Sequence, residues 1–226
     1  MSATRRALAA SVDTDAERSL ASQLAAQIAR PDLGVMVGRQ ARTDGGSVYS
    51  RTGFPSVRVP ASAEGQWTMV HAISRQESQF DREAVSHAGA RGTMQLMPGT
   101  AREVAGKLGL PYDVARLTRD TDYNIMLGSS YFAQMLSYWS GNYPLAVASY
   151  NAGPGNVRSW IRANGDPRLA GADIVRWVED IPIYETRNYV QRVLENAVVY
   201  DLINPAKART TGPNRLSWYL RKNRPG

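Results

Sequence analysis

The sequence contains no cysteine and only two histidines among its 226 residues. Without cysteine, disulfide frameworks, thiol nucleophiles and cysteine-ligated metals are excluded. The two histidines, His71 and His87, stand in no H-E-x-x-H pattern or other metal-ligand cluster, so we expect no metal site. P-loop, dinucleotide-binding, nucleophile-elbow and EF-hand patterns are also missing. The sequence therefore implies no cofactor.

Long apolar runs are missing as well. No stretch approaches the roughly 18 apolar residues of a membrane-spanning helix, so no transmembrane segment is expected. The first residues include Arg5 and Arg6, as the basic part of a secretion signal does, but the apolar run behind them is short and ends at Asp13. We therefore expect no signal peptide in this chain.

Positive charge is in excess, with a net charge of +7, and it is unevenly distributed. Residues 1–60 carry eight basic and five acidic side chains, and residues 61–205 carry thirteen basic and fifteen acidic ones. Residues 206–226 carry six basic side chains and no acidic one. A nucleic-acid enzyme would concentrate basic side chains around its folded centre, so no nucleic-acid partner is expected. We interpret 206–226 as a solvated basic tail without acidic partners, the alternative being attraction to an anionic polymer. Its cations are Lys207, Arg209, Arg215, Arg221, Lys222 and Arg224.

Helical spacing of apolar residues dominates the chain, and no alternating strand pattern, repeat or low-complexity segment is present. The sequence therefore predicts an all-α fold. Residues 1–60 are interpreted as an N-terminal helical fragment and connector, 61–205 as the main domain, and 206–226 as the tail. Within the fragment, Leu20, Leu24 and Ile28 form the stripe that one short helix should bury, and 33–60 should be irregular. Further helices are expected around Trp67, Val70 and Ile73, from Pro98 to Leu108, after a cap at Asp122, from Pro154 to Ile161, over 172–180, and around Val190, Val193, Leu194, Ala197 and Val198.

Glu77 is the most informative candidate for chemistry. It follows Val70 and Ile73 at helical spacing, so its carboxylate takes a core-facing position. Loss of solvent there raises the pKa of a carboxyl group, which is the property that a general acid needs at neutral pH. The alternative is a structural one, in which a helix-terminal glutamate pairs with Arg75 or Arg82.

Three other segments carry polar candidates. Residues 89–100 form a loop that leads into a helix, where Gln95 offers a donor and an acceptor to sugar hydroxyls or amides. Tyr150 and Asn151 precede a run of small residues, and Glu185 stands near the start of the last long helix. The ordinary interpretations are a plain turn, a buried core tyrosine and first-turn electrostatics, respectively.

Four sequence blocks together resemble the soluble lytic transglycosylases, enzymes of the lysozyme-like superfamily that cut peptidoglycan glycan strands. They are Ile-Ser-Arg-Gln-Glu-Ser at 73–78, Gly-Thr-Met-Gln at 92–95, Ser-Tyr-Asn-Ala-Gly-Pro-Gly at 149–155, and Glu-Asp-Ile-Pro followed by Glu-Thr-Arg-Asn-Tyr-Val between 179 and 190. The resemblance covers residues 61 to about 205. It departs at Thr93, where leucine is common in the family, and at Ser149, where alanine is common. In the larger members a helical superhelix precedes the catalytic domain, and residues 1–60 are similar to its last fragment.

The resemblance implies a lysozyme-like catalytic domain in which Glu77 is the sole acid and base. Such a domain would cleave the β-1,4 bond between N-acetylmuramic acid and N-acetylglucosamine without water, leaving 1,6-anhydro-muramoyl ends. The residues that would line the saccharide groove or flank the acid are Ser86, Gln95, Met97, Tyr150 and Glu185, with Ser78 and Asn151 behind them. The implied partners are peptidoglycan strands and other cell-wall proteins, and the implied setting is a monomer in the periplasm or cell envelope.

Two other functions remain open at this point. A lysozyme-type hydrolase would release reducing ends, but it needs a second carboxylate, and Asp81 lies past the helix of Glu77 in a polar loop. An inactive glycan-binding module on the same fold would not need the acidity of Glu77.

Overall fold

The computed structural model describes residues 11–43 and 53–222, so the basic residues Arg5 and Arg6, the Gly-Gly pair at 45–46 and Arg224 lie outside the described residues. Within those ranges the fold is all-α, as predicted, and two isolated bridges are its only β features. The α-helices are α1 (Asp15–Gln27), α2 (Pro31–Thr43), α3 (Trp67–Glu77), α4 (Pro98–Lys107), α5 (Arg116–Arg119), α6 (Thr121–Tyr138), α7 (Tyr143–Ala152), α8 (Pro154–Asn164), α9 (Ile174–Glu179), α10 (Tyr184–Ile203) and α11 (Arg215–Tyr219). Short 3₁₀ helices span Ala61–Gln66 and Pro205–Lys207.

Helix α3 lies at the centre of the domain. It packs along α10, which also packs on α7, and α7 in turn contacts α6 and α8. The predicted stripe of Trp67, Val70 and Ile73 is buried, as is the predicted stripe of α10 except for Val198, which is partly buried. Because every residue of α3 from Trp67 to Arg75 is buried, the helix reaches the protein surface only at its carboxyl end.

The start of the long helix α6 differs from the prediction. Asp120, not Asp122, is its cap, because the Asp120 carboxylate accepts a hydrogen bond from the Tyr123 N–H at 3.0 Å. A capping side chain reaches the third residue of its helix, and Asp122 is already inside the first turn. There Asp122 forms an ion pair with Arg58.

The amino-terminal segment is a helical hairpin of α1 and α2. The prediction that α1 buries its leucine stripe is wrong, since Leu20, Leu24 and Ile28 are 64%, 53% and 53% exposed. The packed face carries Ala21 and Ala25 instead, whose small side chains allow α2 to approach closely. Residue type alone therefore indicated the wrong face of this helix.

The predicted irregular connector is also wrong over residues 33–43, which belong to α2. Pro31 occupies the first helical position, where the missing N–H costs nothing. Val35, Val37 and Ala41 of this helix are buried, and Val35 packs in the main core.

The carboxy-terminal segment is folded onto the domain. Lys207 Nζ lies 2.9 Å from Glu64 Oε2, so the expectation that the tail lacks acidic partners is wrong for this residue. Tyr219 in α11 is fully buried and donates its hydroxyl hydrogen to Asp201 Oδ2 at 2.8 Å. Helix α11 has only five residues, too few for a readable periodicity. The division at residues 60 and 205 stays a prediction, and Tyr219 packs in the same core as 61–205.

Candidate active site

Glu77 is the last residue of α3 and remains partly exposed where the buried helix meets the surface. The chain turns sharply behind it, because Gln79 and Phe80 both have positive φ angles, 57° and 66°. Phe80 is buried again immediately after the turn. The turn thus holds the Glu77 carboxyl group at the edge of the core, reachable from outside but poorly hydrated.

Three effects determine the pKa of Glu77. Burial raises its pKa from 4.5 to about 7, because the charged form loses hydration. The Tyr189 hydroxyl donates a hydrogen bond to Glu77 Oε1 at 2.6 Å, which stabilises the ionised form and opposes the shift. The negative charge of Glu185 raises the pKa further. Because burial is the largest of these effects, Glu77 keeps its proton to a higher pH than an exposed glutamate does.

The arginines considered as structural partners of Glu77 have other contacts. Arg75 donates to the Gly53 carbonyl at 2.7 Å and to Asn196 Oδ1 at 3.0 Å, and its guanidinium lies over the Phe54 ring. Arg82 lies at the surface beside Glu83. A helix-terminal ion pair does not describe this arrangement.

Hydrogen bonds join the end of α3 to the loop at residues 92–95. Ser78 donates its hydroxyl hydrogen to the Thr93 carbonyl at 2.7 Å. Tyr150, buried in α7, donates to the Met94 carbonyl at 3.0 Å. Two successive peptide groups of the loop are therefore fixed from two sides, by residues that the sequence had singled out.

A second pair of hydrogen bonds joins α7 and α3 to α10. Thr186 donates its hydroxyl hydrogen to Asn151 Oδ1 at 2.7 Å, and Tyr189 reaches Glu77. Glu185 is exposed in the first turn of α10, and its charge acts on Glu77. The four sequence blocks thus meet at one place although they span more than a hundred residues.

Gln95 completes the loop. Its φ of 47° is unusual for a residue with a side chain, and its amide nitrogen donates to the carbonyls of Ala84 and Gly92 at 3.1 and 2.9 Å. The amide nitrogen is thus occupied in shaping the loop. Gln95 as a ligand for sugar stays a prediction.

Ser86 and Met97 flank the 92–95 loop in the sequence. The Ser86 hydroxyl accepts the Ala90 N–H at 3.0 Å and closes a turn, and Met97 is 44% exposed just before α4. In the described part of the chain no hydrogen bond joins either residue to Glu77. Their place in a saccharide groove stays a prediction.

Sequence reasoning missed two residues of the site. Tyr189 was part of the fourth block but received no role, although it follows Glu185 by four residues and so shares its helix face. Asn124 is fully buried on α6 and accepts the Met94 N–H at 2.8 Å, while its amide nitrogen donates to the carbonyls of Arg91 and Leu117. A polar residue on the apolar side of a helix was the available signal for Asn124.

His71 has a structural place. It is buried in α3, its Nδ1–H donates to the Trp67 carbonyl, and its Nε2 accepts the Val57 N–H at 3.0 Å. Burial lowers the pKa of His71 to about 4. Among the described residues no group of three or more histidine, aspartate or glutamate side chains could hold a metal ion. Across the same residues, no helix is both long and apolar enough to cross a membrane.

The family comparison matches this part of the chain. Residues 60–169 match the family model described as the transglycosylase SLT domain. Just under half of the chain is therefore similar to this domain. The resemblance inferred from the four blocks is thereby confirmed, and the match includes Glu77, the 92–95 loop and Tyr150.

Individual relatives agree with the family match. The soluble lytic murein transglycosylase of Escherichia coli strain K12 is 40% identical over 130 residues, which are 57% of this chain and 20% of that protein. The structure of an inactive Glu→Gln mutant of lytic transglycosylase Slt from Pseudomonas aeruginosa is similar with a TM-score of 0.72 and 35% identity, over 89% of this chain and 32% of that one. The structure of the 70-kDa soluble lytic transglycosylase of Escherichia coli is similar with a TM-score of 0.70 and 27% identity. That match covers 89% of this chain and 33% of the other. The chain thus spans about a fifth to a third of the length of these relatives.

Proposed function

We propose that this SLT domain cleaves the β-1,4 bond between N-acetylmuramic acid and N-acetylglucosamine in peptidoglycan without water, forming 1,6-anhydro-muramoyl ends. The observation that carries the proposal is the state of Glu77, a partly accessible carboxyl group whose pKa burial raises to about 7. A general acid is most effective when its pKa lies near the working pH. The relatives, which are named lytic transglycosylases, supply the reaction class.

One carboxyl group serves both halves of this reaction. Protonated Glu77 gives its proton to the glycosidic oxygen as the bond to C1 breaks. The resulting carboxylate, poorly hydrated, then accepts the proton of the C6 hydroxyl as that oxygen bonds to C1. Tyr189 stabilises the carboxylate between the two steps through its 2.6 Å hydrogen bond. No water enters, and Glu77 ends the cycle protonated.

A hydrolase is the second candidate, and Glu185 is the observation that favours it. Its charge acts on Glu77, so a second carboxylate does lie near the acid, and hydrolysis requires such a partner to activate water or to bond to the sugar. Lytic cleavage instead assigns Glu185 to the sugar-binding groove, together with Ser86, Gln95, Met97 and Tyr150. In that assignment Glu185 also keeps Glu77 protonated.

We further propose that the domain acts as a monomer on glycan strands in the periplasm or cell envelope, beside other cell-wall proteins. The names of its relatives, which include soluble and membrane-bound murein transglycosylases, support an envelope setting.

Digestion of purified sacculi tests the proposal. Wild-type protein should release muropeptides that are each lighter by one water than lysozyme products, with no gain of reducing ends. If one new reducing end appears for each bond that is cleaved, the result would favour the hydrolase. If the protein binds sacculi but releases no muropeptides, the result would favour the inactive glycan-binding module.

A further inference from the structure

A partly open cavity of about 340 Å³ lies behind the 92–95 loop, between the helical hairpin and the domain. Helices α1 and α2 line one side, and residues 55–58 with Phe80 and Thr93 line the other. Glu77 does not line it, so the cavity is distinct from the candidate active site. The volume falls at the lower end of the range for pockets that bind small molecules.

One buried hydroxyl group in this cavity has no partner. Thr93 is 2% exposed and lines the cavity, and its Oγ1 makes no hydrogen bond to any described residue. A buried polar atom left in this state destabilises the fold. A larger apolar side chain at this position would bring no hydroxyl group and would occupy more of the space. Threonine in this chain therefore leaves both room and a hydrogen-bonding group.

The surroundings of Thr93 define two further properties of an occupant. Val57, Pro55 and Phe80 provide an apolar wall. Arg58 and Arg82 have exposed side chains and also line the cavity. Asp122, the only carboxylate among the described lining residues, is paired with Arg58. Arg82 Nε lies 3.9 Å from Glu83 Oε1 and forms a loose ion pair at the surface. Each guanidinium group keeps N–H donors beyond its ion pair, because the side chains of Arg58 and Arg82 remain 80% and 51% exposed.

We propose that this cavity binds a compact organic anion with an apolar body, whose hydrogen-bonding group reaches the Thr93 hydroxyl while its negative charge faces Arg82 and Arg58. The body would lie against Phe80 and Val57. The proposal goes beyond the proposed reaction and does not rest on it, since it concerns binding alone.

Occupation of the cavity would stabilise the chain where two parts meet. The ligand would contact the hairpin and the domain together, and anything that binds only the folded state raises its stability by mass action. Thr93 also accepts the Ser78 hydrogen bond through its carbonyl, so the ligand would touch the far side of the loop that supports Glu77.

Three related probes test the chemistry: 4-hydroxybenzoate, benzoate, which lacks the hydroxyl group, and 4-hydroxybenzamide, which lacks the charge. Each would be titrated into the whole ¹⁵N-labelled chain and followed by NMR. We expect saturable shifts at Val57, Phe80 and Thr93 with 4-hydroxybenzoate, and weaker binding of the other two probes. No saturable shift at these residues, or equal binding of all three probes, would overturn the proposal.

Variants of Thr93 locate the hydrogen bond. T93V removes the hydroxyl group at nearly constant volume, and T93S retains it as the matched control. One neutral hydrogen bond corresponds to about a two- to tenfold change in affinity. T93V should therefore weaken 4-hydroxybenzoate by that factor and leave benzoate unchanged, whereas T93S should retain both. Equal losses for the two probes, or a soaked crystal with only an ordered water on Thr93 Oγ1, would contradict the assignment.

Discussion

Replacement of Glu77 by glutamine tests the chemistry and the electrostatics of the site together. Glutamine keeps the size of the side chain and still accepts the Tyr189 hydrogen bond, but it has no proton to give to a glycosidic oxygen. General acid–base assistance contributes about 10²–10⁴-fold. We therefore expect the clearance of sacculi by E77Q to fall by that factor, with the fold unchanged.

The same variant should change how stability depends on pH. Between pH 4.5 and about 7 the folded state holds a proton on Glu77 that the unfolded chain has lost, so the contribution of this group to stability falls as pH rises through that window. A difference of this size corresponds to about 3 kcal/mol. The free energy of unfolding of E77Q minus that of wild type should therefore be larger at pH 8 than at pH 4, by up to about 3 kcal/mol.

Only the difference between variant and wild type isolates this effect. His71 acts in the opposite direction: burial lowers its pKa from 6.5 to about 4, so its contribution is lost as pH falls through the same range. The two slopes offset each other in the wild-type profile and separate when either residue is replaced.

The assay is urea unfolding from pH 4 to pH 8, performed on wild type, E77Q and the control E195Q. Glu195 is 53% exposed at the surface beside Arg192, and such pairs contribute about 0–1 kcal/mol. E195Q should follow the wild-type profile. Parallel profiles for E77Q and wild type would refute the desolvated carboxyl group. Near wild-type activity of folded E77Q would refute its catalytic role.

Three further predictions follow from individual contacts. Y189F removes a donor that stabilises ionised Glu77, so the alkaline limb of the pH–activity profile should move to higher pH; an unmoved limb would exclude this coupling. G92A should destabilise the protein by more than about 2 kcal/mol, because φ is +75° and a Cβ would overlap a backbone carbonyl. G99A, in a helix with open space, should be neutral or stabilising, and equal melting temperatures for the two variants would contradict that geometry. H71Q should lose less stability than wild type between pH 6.5 and 4 in urea titrations, and an unchanged acid slope would show that another group causes it.

Sequence periodicity predicted those helices whose buried face runs over several turns. Trp67, Val70 and Ile73 are buried as expected because α3 is enclosed by neighbours on all sides. The same reasoning failed for α1, where Leu20 and Leu24 are exposed. The covered face of a short helix depends on the helix that packs against it. For α1 that partner is α2, and the sequence predicts an irregular connector over most of α2.

The raised pKa of Glu77 was also predictable, because a carboxylate in an apolar stripe loses hydration wherever the rest of the chain lies. Its hydrogen-bond partner was not, since Tyr189 follows it by 112 residues. The same holds for Asn124, which binds the 92–95 loop from 30 residues away. Local pattern reports the environment of one side chain, whereas the identity of a distant partner depends on how whole helices pack.

The most direct test of the account is cleavage of sacculi in ¹⁸O-labelled water. If the C6 hydroxyl group is the nucleophile and Glu77 is the only acid and base, the released muropeptides should carry no label and should be lighter by one water than lysozyme products. Label at C1 of the muramoyl residue would contradict the account. It would make the protein a hydrolase, with Asp81 and Glu185 as the candidates for the second carboxylate.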